Sequence, residues 1–163
     1  MEQSSIRTLV LGVGNLLMSD EGVGVHVIRQ LIERYRIPEE IQILDGGTLG
    51  LDLLYYLEGV ENVLIIDAVE TGEAPGTIIR MDGDEVPAFL SIKMSPHQIG
   101  IPDMLAAAKL KDLFPQKLTL FGIQPESIVI SMELSPTIAL TIDQIIDVVI
   151  DCLNSWGHAL ESS

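Results

Sequence analysis

Residues Thr8-Leu-Val-Leu-Gly-Val13 are apolar without a break until Gly14-Asn15 stops them. A strand with one face in water alternates polar and apolar side chains, whereas an unbroken apolar run belongs to a strand covered on both faces, as in the middle of a parallel sheet. Parallel strands need crossover connections, and the chain supplies them. After Ser19-Asp20-Glu21, the residues Val27, Ile28, Leu31, Ile32 and Tyr35 form one helical stripe, while Arg29, Gln30, Glu33 and Arg34 fall on the other side. That helix ends before Pro38. Ile41–Leu44 reads as the second strand, Thr48–Leu57 as a second helix closed by Gly59, and Asn62–Ile66 as the third strand.

Further along, Thr77–Met81 reads as a strand returning antiparallel at an edge, with a loop over Ser91–Ile101. A helix is expected over Pro102–Lys111, a strand over Lys117–Ile123 and a short strand at Ile128–Ile130. Ser135-Pro136 is a helix start, with Ser as cap and Pro at the first helical position. Ile138, Ile142, Ile145, Ile146, Val149, Leu153 and Trp156 follow on one face. The predicted fold is α/β: a three-layer α/β/α sandwich around a twisted, mostly parallel sheet of about five strands with one antiparallel edge strand. At 163 residues the expectation is a single domain spanning 1–163.

Composition narrows the function. Nine Lys and Arg against 24 Asp and Glu give a net charge of −15, which repels nucleic-acid phosphates and anionic lipid surfaces. Such a surface attracts a metal cation or a basic segment of another protein. Aromatic residues at 4% leave no platform for stacking bases. The single cysteine, Cys152, makes no internal disulfide and no thiolate cage, so a reducing, cytoplasmic setting is expected. Thr8–Met18 lacks a basic flank and a small-residue cleavage site, and no stretch reaches the ~18 apolar residues of a membrane span. A monomer is the simplest expectation.

In a doubly wound sheet the ligand crevice lies beyond the carboxyl ends of the strands. The first strand leads there to Asn15, Asp20 and Glu21, the second to Asp45-Gly46-Gly47-Thr48, the third to Asp67, and the irregular loop adds Ser95-Pro96-His97. Gly12-Val-Gly14-Asn15-Leu-Leu17 begins like a dinucleotide fingerprint, but Leu17 stands at the third glycine's place and Asp20-Glu21 put negative charge where a pyrophosphate would sit. No nucleotide is expected. A glutamate, an aspartate and a histidine form an O, O, N donor set suited to a borderline divalent ion such as nickel or zinc. Each also has a plainer reading: Asp20 and Glu21 as first-turn acids, Asp67 as a cap, His97 as a loop histidine fixed after proline. Their joint placement favours the site. His26, His158 and Cys152 read as structural or solvated, and no G-x-S-x-G nucleophile elbow occurs.

Taken in order, Gly12-x-Gly14-Asn15-x-Leu17-x-x-Asp20-Glu21-x-x-Gly24, Asp45-Gly-Gly47, Ile65-Ile-Asp67, Ser95-Pro-His97, Gly122-x-x-Pro125-Glu126-Ser127 and Leu134-Ser-Pro136 resemble the nickel-iron hydrogenase maturation endopeptidases, over nearly the whole chain. The resemblance implies an endopeptidase with a twisted sheet between helices. It would remove a C-terminal extension from the hydrogenase large-subunit precursor, its protein partner, once nickel has been inserted. It further implies that Glu21, Asp67 and His97 contact that nickel, which arrives with the substrate. Asp45 is the residue expected to assist hydrolysis, as in an aspartic-type endopeptidase, with Asn15, Asp20, Gly46, Gly47 and Thr48 at the substrate. A non-catalytic metal-sensing chaperone and a nucleotide-using enzyme are the competing readings.

Overall fold

The apolar run forms β1 (Thr8–Gly12), and all 5 of its residues are buried. In the computed structural model, which describes residues 5–46, 50–93 and 101–163, β1 lies between two parallel neighbours. These are β3 (Ile41–Asp45) and β4 (Asn62–Ala68). The sheet continues through β6 (Lys117–Ile123), parallel to β4, to β5 (Ile78–Asp82), antiparallel at the edge, giving the order β3-β1-β4-β6-β5. This is the expected mostly parallel sheet with one antiparallel edge strand. The physical reason is the one read from the sequence: β1 and β4 have no wet face.

Helices cover both faces. On one, α1 (Val23–Arg34) and α5 (Pro136–Ser155) pack Val27, Leu31, Ile145 and Val149 against Val10, Leu64 and Ile66. On the other, α2 (Leu53–Leu57), α3 (Glu85–Lys93) and α4 (Ile101–Leu110) pack Leu53, Val86, Met104 and Leu105 against Leu9, Leu11 and Ile65. Alternation along each strand therefore sends successive side chains into two separate cores. Helix α5 starts as the sequence indicates: the Ser135 hydroxyl accepts from the Ile138 amide and Pro136 follows.

Three expectations are corrected. The second helix is shorter, a 3-10 turn at Gly50–Asp52 running into α2, while Thr48 and its neighbours 47–49 lie outside the described residues. Helix α3 replaces part of the expected loop; Pro87 sits in its first turn, where the missing amide hydrogen costs nothing. Ile128–Ile130 is not a strand: it has no ladder partner and is exposed. A two-residue pair, β2 (Tyr35–Arg36) with β7 (Glu161–Ser162), ties the C-terminal segment to the end of α1.

His158 lies beyond α5 rather than on a helix and is buried at the amino end of the sheet. The Thr8 hydroxyl accepts from Asn62 Nδ2 at 3.0 Å and is hydrogen-bonded to His158 Nε2 at 2.6 Å. The Nδ1 of His158 faces Glu40 at 3.7 Å. Burial holds His158 below its ordinary value of 6.5, against the opposing pull of Glu40, and burial lowers His26 on α1 likewise. Below about 6.5 the unfolded chain therefore takes up protons that the folded chain resists, so acid destabilises the fold. Melting temperature should fall as pH drops from about 7 to 5, and His158→Asn should flatten part of that slope. An unchanged slope in the variant would place the proton uptake elsewhere.

Candidate active site at the carboxyl edge of the sheet

Four strand ends deliver the polar residues. In register, Gly12 of β1 stands between Asp45 of β3 and Ile66 of β4, and Asp67 stands beside Gly122 of β6. Beyond β1, Asn15 Oδ1 accepts from the Leu17 amide at 2.9 Å, bending the chain into a 3-10 turn at Ser19–Gly22. That turn packs against β4. Glu21 is 8% exposed and Asp67 is 2% exposed, so both carboxylates are held in the protein and away from bulk water.

Asp45 and Asp67 do not share a face. Ile43 belongs with the α1 and α5 core and Ile65 with the core under α2, α3 and α4. Period-two alternation puts Asp45 with the former and Asp67 with the latter. With β1 between them their backbones lie about 10 Å apart, two strand spacings. The two carboxylates therefore stand on opposite faces of the sheet at its carboxyl edge. Gly46 is buried, and the space where its side chain would stand touches Leu11 and Val13 at 3.4 Å, so it packs inward. His97, Gly47 and Thr48 lie outside the described residues. Among the described residues no three His, Cys, Asp or Glu side chains are grouped to hold a metal ion; Glu21 and Asp67 are the two members of the expected set that they include.

Asp20, expected at the substrate, turns inward instead. It is fully buried, and its carboxylate accepts from the amides of Glu126 and Ser127 at 2.9 Å, from the Ser135 amide at 2.8 Å and from the Ser135 hydroxyl at 2.8 Å. One side chain thus fixes both ends of the segment between β6 and α5. Nothing local to Asp20 signals this role, because its partners lie more than a hundred positions along the chain. Asp20→Asn would set an amide N–H against those donors and should cost about 3 kcal/mol, a drop in melting temperature of roughly 10 °C. A calorimetric shift under 2–3 °C would show that the network relaxes around the amide.

The glycines of the first turn serve packing. A side chain on Gly12 would meet Gly24 and Ile28, and one on Gly14, at φ 134°, would meet the Glu21 carbonyl. Cys152 is buried in α5 at 2% exposure, and burial pushes its thiol up from 9.0, which makes it a packing residue rather than a nucleophile.

A mostly parallel sheet between two helical layers, with Glu21 and Asp67 buried at its carboxyl edge, defines a doubly wound α/β protein. The chain belongs to the hydrogenase maturation protease family: the model of that family matches residues 25–152. It is 41% identical over 153 residues to the hydrogenase 2 maturation protease of Escherichia coli K12, covering 93% of each chain. Over 153 residues it is 42% identical to the hydrogenase expression/formation protein HupD of Rhodobacter capsulatus, covering 93% of this chain and 73% of that protein. Its fold superposes on the E. coli hydrogenase maturating endopeptidase HybD with a TM-score of 0.92 at 40% identity, over 96% of this chain and 98% of that one. The [NiFe] hydrogenase maturation protease HybD of Thermococcus kodakarensis gives 0.73 at 28% identity, over 88% and 97%. The chain is accordingly an endopeptidase, a hydrolase of peptide bonds.

Proposed function

We propose that this endopeptidase removes the C-terminal extension of a nickel-iron hydrogenase large-subunit precursor, and that Glu21, Asp67 and His97 recognise nickel already bound in that substrate. The observation that carries the reading is the placement of two buried carboxylates at the carboxyl edge, Glu21 by the turn after β1 and Asp67 by β4, oxygen donors of the kind a divalent cation takes. Two carboxylates and one imidazole, with no thiolate, leave coordination positions for an ion that another protein also holds. Nickel is then part of the substrate. Anchoring it fixes the precursor, and the scissile bond lies across β1 toward Asp45, whose carboxylate takes the proton of the attacking water. The setting is the cytoplasm, and the protease acts as a monomer.

The test uses chelator-treated protease with nickel-loaded and nickel-free precursor in parallel, weighing the products. Only the nickel-loaded form should lose a C-terminal peptide, and the rate should fall as salt screens the −15 charge. Equal cleavage of both forms, or activity that returns only when zinc is added to the protease, would replace this reading with that of a resident-metal protease. No cleavage of either form, with retained binding, would favour a metal-sensing chaperone.

A further inference from the structure

The segment between β6 and α5 turns Leu134 onto the core and holds four other apolar residues outward. Ile128, Val129, Ile130 and Met132 are 54%, 63%, 86% and 68% exposed, and Leu17 is 57% exposed. The backbone sets them side by side: Met18 bridges Ser131 in parallel, the Ser131 amide donates to Leu17 O at 3.0 Å, and the Ser19 amide donates to Ser131 O at 2.8 Å. Single exposed apolar residues are ordinary, but five brought together on one short stretch of surface mark an interaction site.

The ridge is also held firmly. Asp20 fastens Glu126 and Ser127 at one end and Ser135 at the other, and the Ser19 hydroxyl donates to Glu133 O at 2.8 Å. Ser19 does this from φ 53°, a left-handed conformation that costs a non-glycine residue free energy. A loop so anchored meets a partner with little ordering left to lose. Around it, residues 13–22, 69–76 and 124–135 contain Asp20, Glu21, Glu70, Glu73, Glu126 and Glu133 and no Lys or Arg.

We infer that Leu17, Ile128, Val129, Ile130 and Met132 form the docking ridge for the hydrogenase precursor, received by an apolar face of that protein flanked by Lys or Arg. The inference rests on the proposed function and adds a contact surface beside the nickel-recognising residues. Charge selects the occupant: a second copy of this chain would bring the same carboxylates against these, and an anionic membrane would be repelled.

The experiment compares wild type, Ile130→Asp, Met132→Asp and the double variant, with Leu110→Asp as control. Leu110 is 89% exposed at the end of α4, which leads into the amino end of β6. Binding of nickel-loaded precursor and steady-state processing are both measured. The ridge variants should raise Kd and KM at least tenfold, leave kcat at saturating precursor unchanged and keep the melting temperature, while Leu110→Asp changes nothing. Ile130→Leu should bind as wild type. If wild type binds and cleaves but the double variant matches it, the ridge is overturned and the proposed function stands. If wild type fails to bind precursor, both fall. A wild-type dimer in sedimentation that the double variant loses would assign the ridge to a second copy and overturn the inference.

Discussion

Gly24→Ala should destabilise the fold severely. A Cβ at Gly24 would stand 2.6 Å from Val13 O and 2.7 Å from Val13 N, and nearer still to Ile66 O. All three are backbone atoms of the central strands, and two of them make the hydrogen bond from the Val13 amide to Ile66 O at 3.0 Å that joins the end of β1 to β4. A flexible side chain could swing away from an added methyl; this hydrogen bond cannot. Overpacking typically costs 1–3 kcal/mol when side chains absorb it, and here the helix must lift from the sheet, so about 3 kcal/mol or more is expected. Gly59→Ala supplies the contrast: Gly59 has φ 78° and open space around it, so alanine meets only the left-handed backbone penalty of about 1 kcal/mol. Denaturant unfolding of both variants checks the pair. A Gly24→Ala protein as stable as Gly59→Ala would mean that α1 can shift without loss.

The same glycine shows how far the sequence could be read. Gly12-x-Gly14 announces a tight strand-to-helix turn, and the failure of the next glycine, at Leu17, excludes a pyrophosphate cradle. Leu17 is in fact 57% exposed and nowhere near the helix-strand contact, because a 3-10 turn intervenes and delays the helix to Val23. Gly24 makes the close approach instead. The succession of strands along the chain and the capping of α5 were legible for the same reason: each depends on local pattern. Helix α3 was not legible, since Val86, Phe89 and Leu90, though at the helical i, i+3, i+4 spacing, make only one turn of stripe and have Pro87 among them. Nor was the role of Asp20, whose partners are more than a hundred positions away. A first-turn acid and a buried hub look alike until the chain closes on itself.

Single replacements in the nickel-recognising set should abolish processing without unfolding the protein. Glu21→Gln and Asp67→Asn keep volume and shape and remove one negative charge each, from residues 8% and 2% exposed. His97→Ala removes the one nitrogen donor of the set. If the three meet the substrate's nickel, each change should lower kcat/KM by about 100-fold or more, with melting temperatures within a few degrees of wild type. Asp45→Asn should behave differently. It sits across β1 from Asp67, so nickel-loaded precursor should bind with KM near wild type while kcat falls by a similar factor. Mass spectrometry of the products gives the rates, and titration with uncleaved precursor gives the affinities. Normal cleavage by His97→Ala would remove this histidine from nickel recognition. Equal losses of affinity in Asp45→Asn and Asp67→Asn would show that both carboxylates hold the same part of the substrate, and that the proton of the attacking water goes to another group.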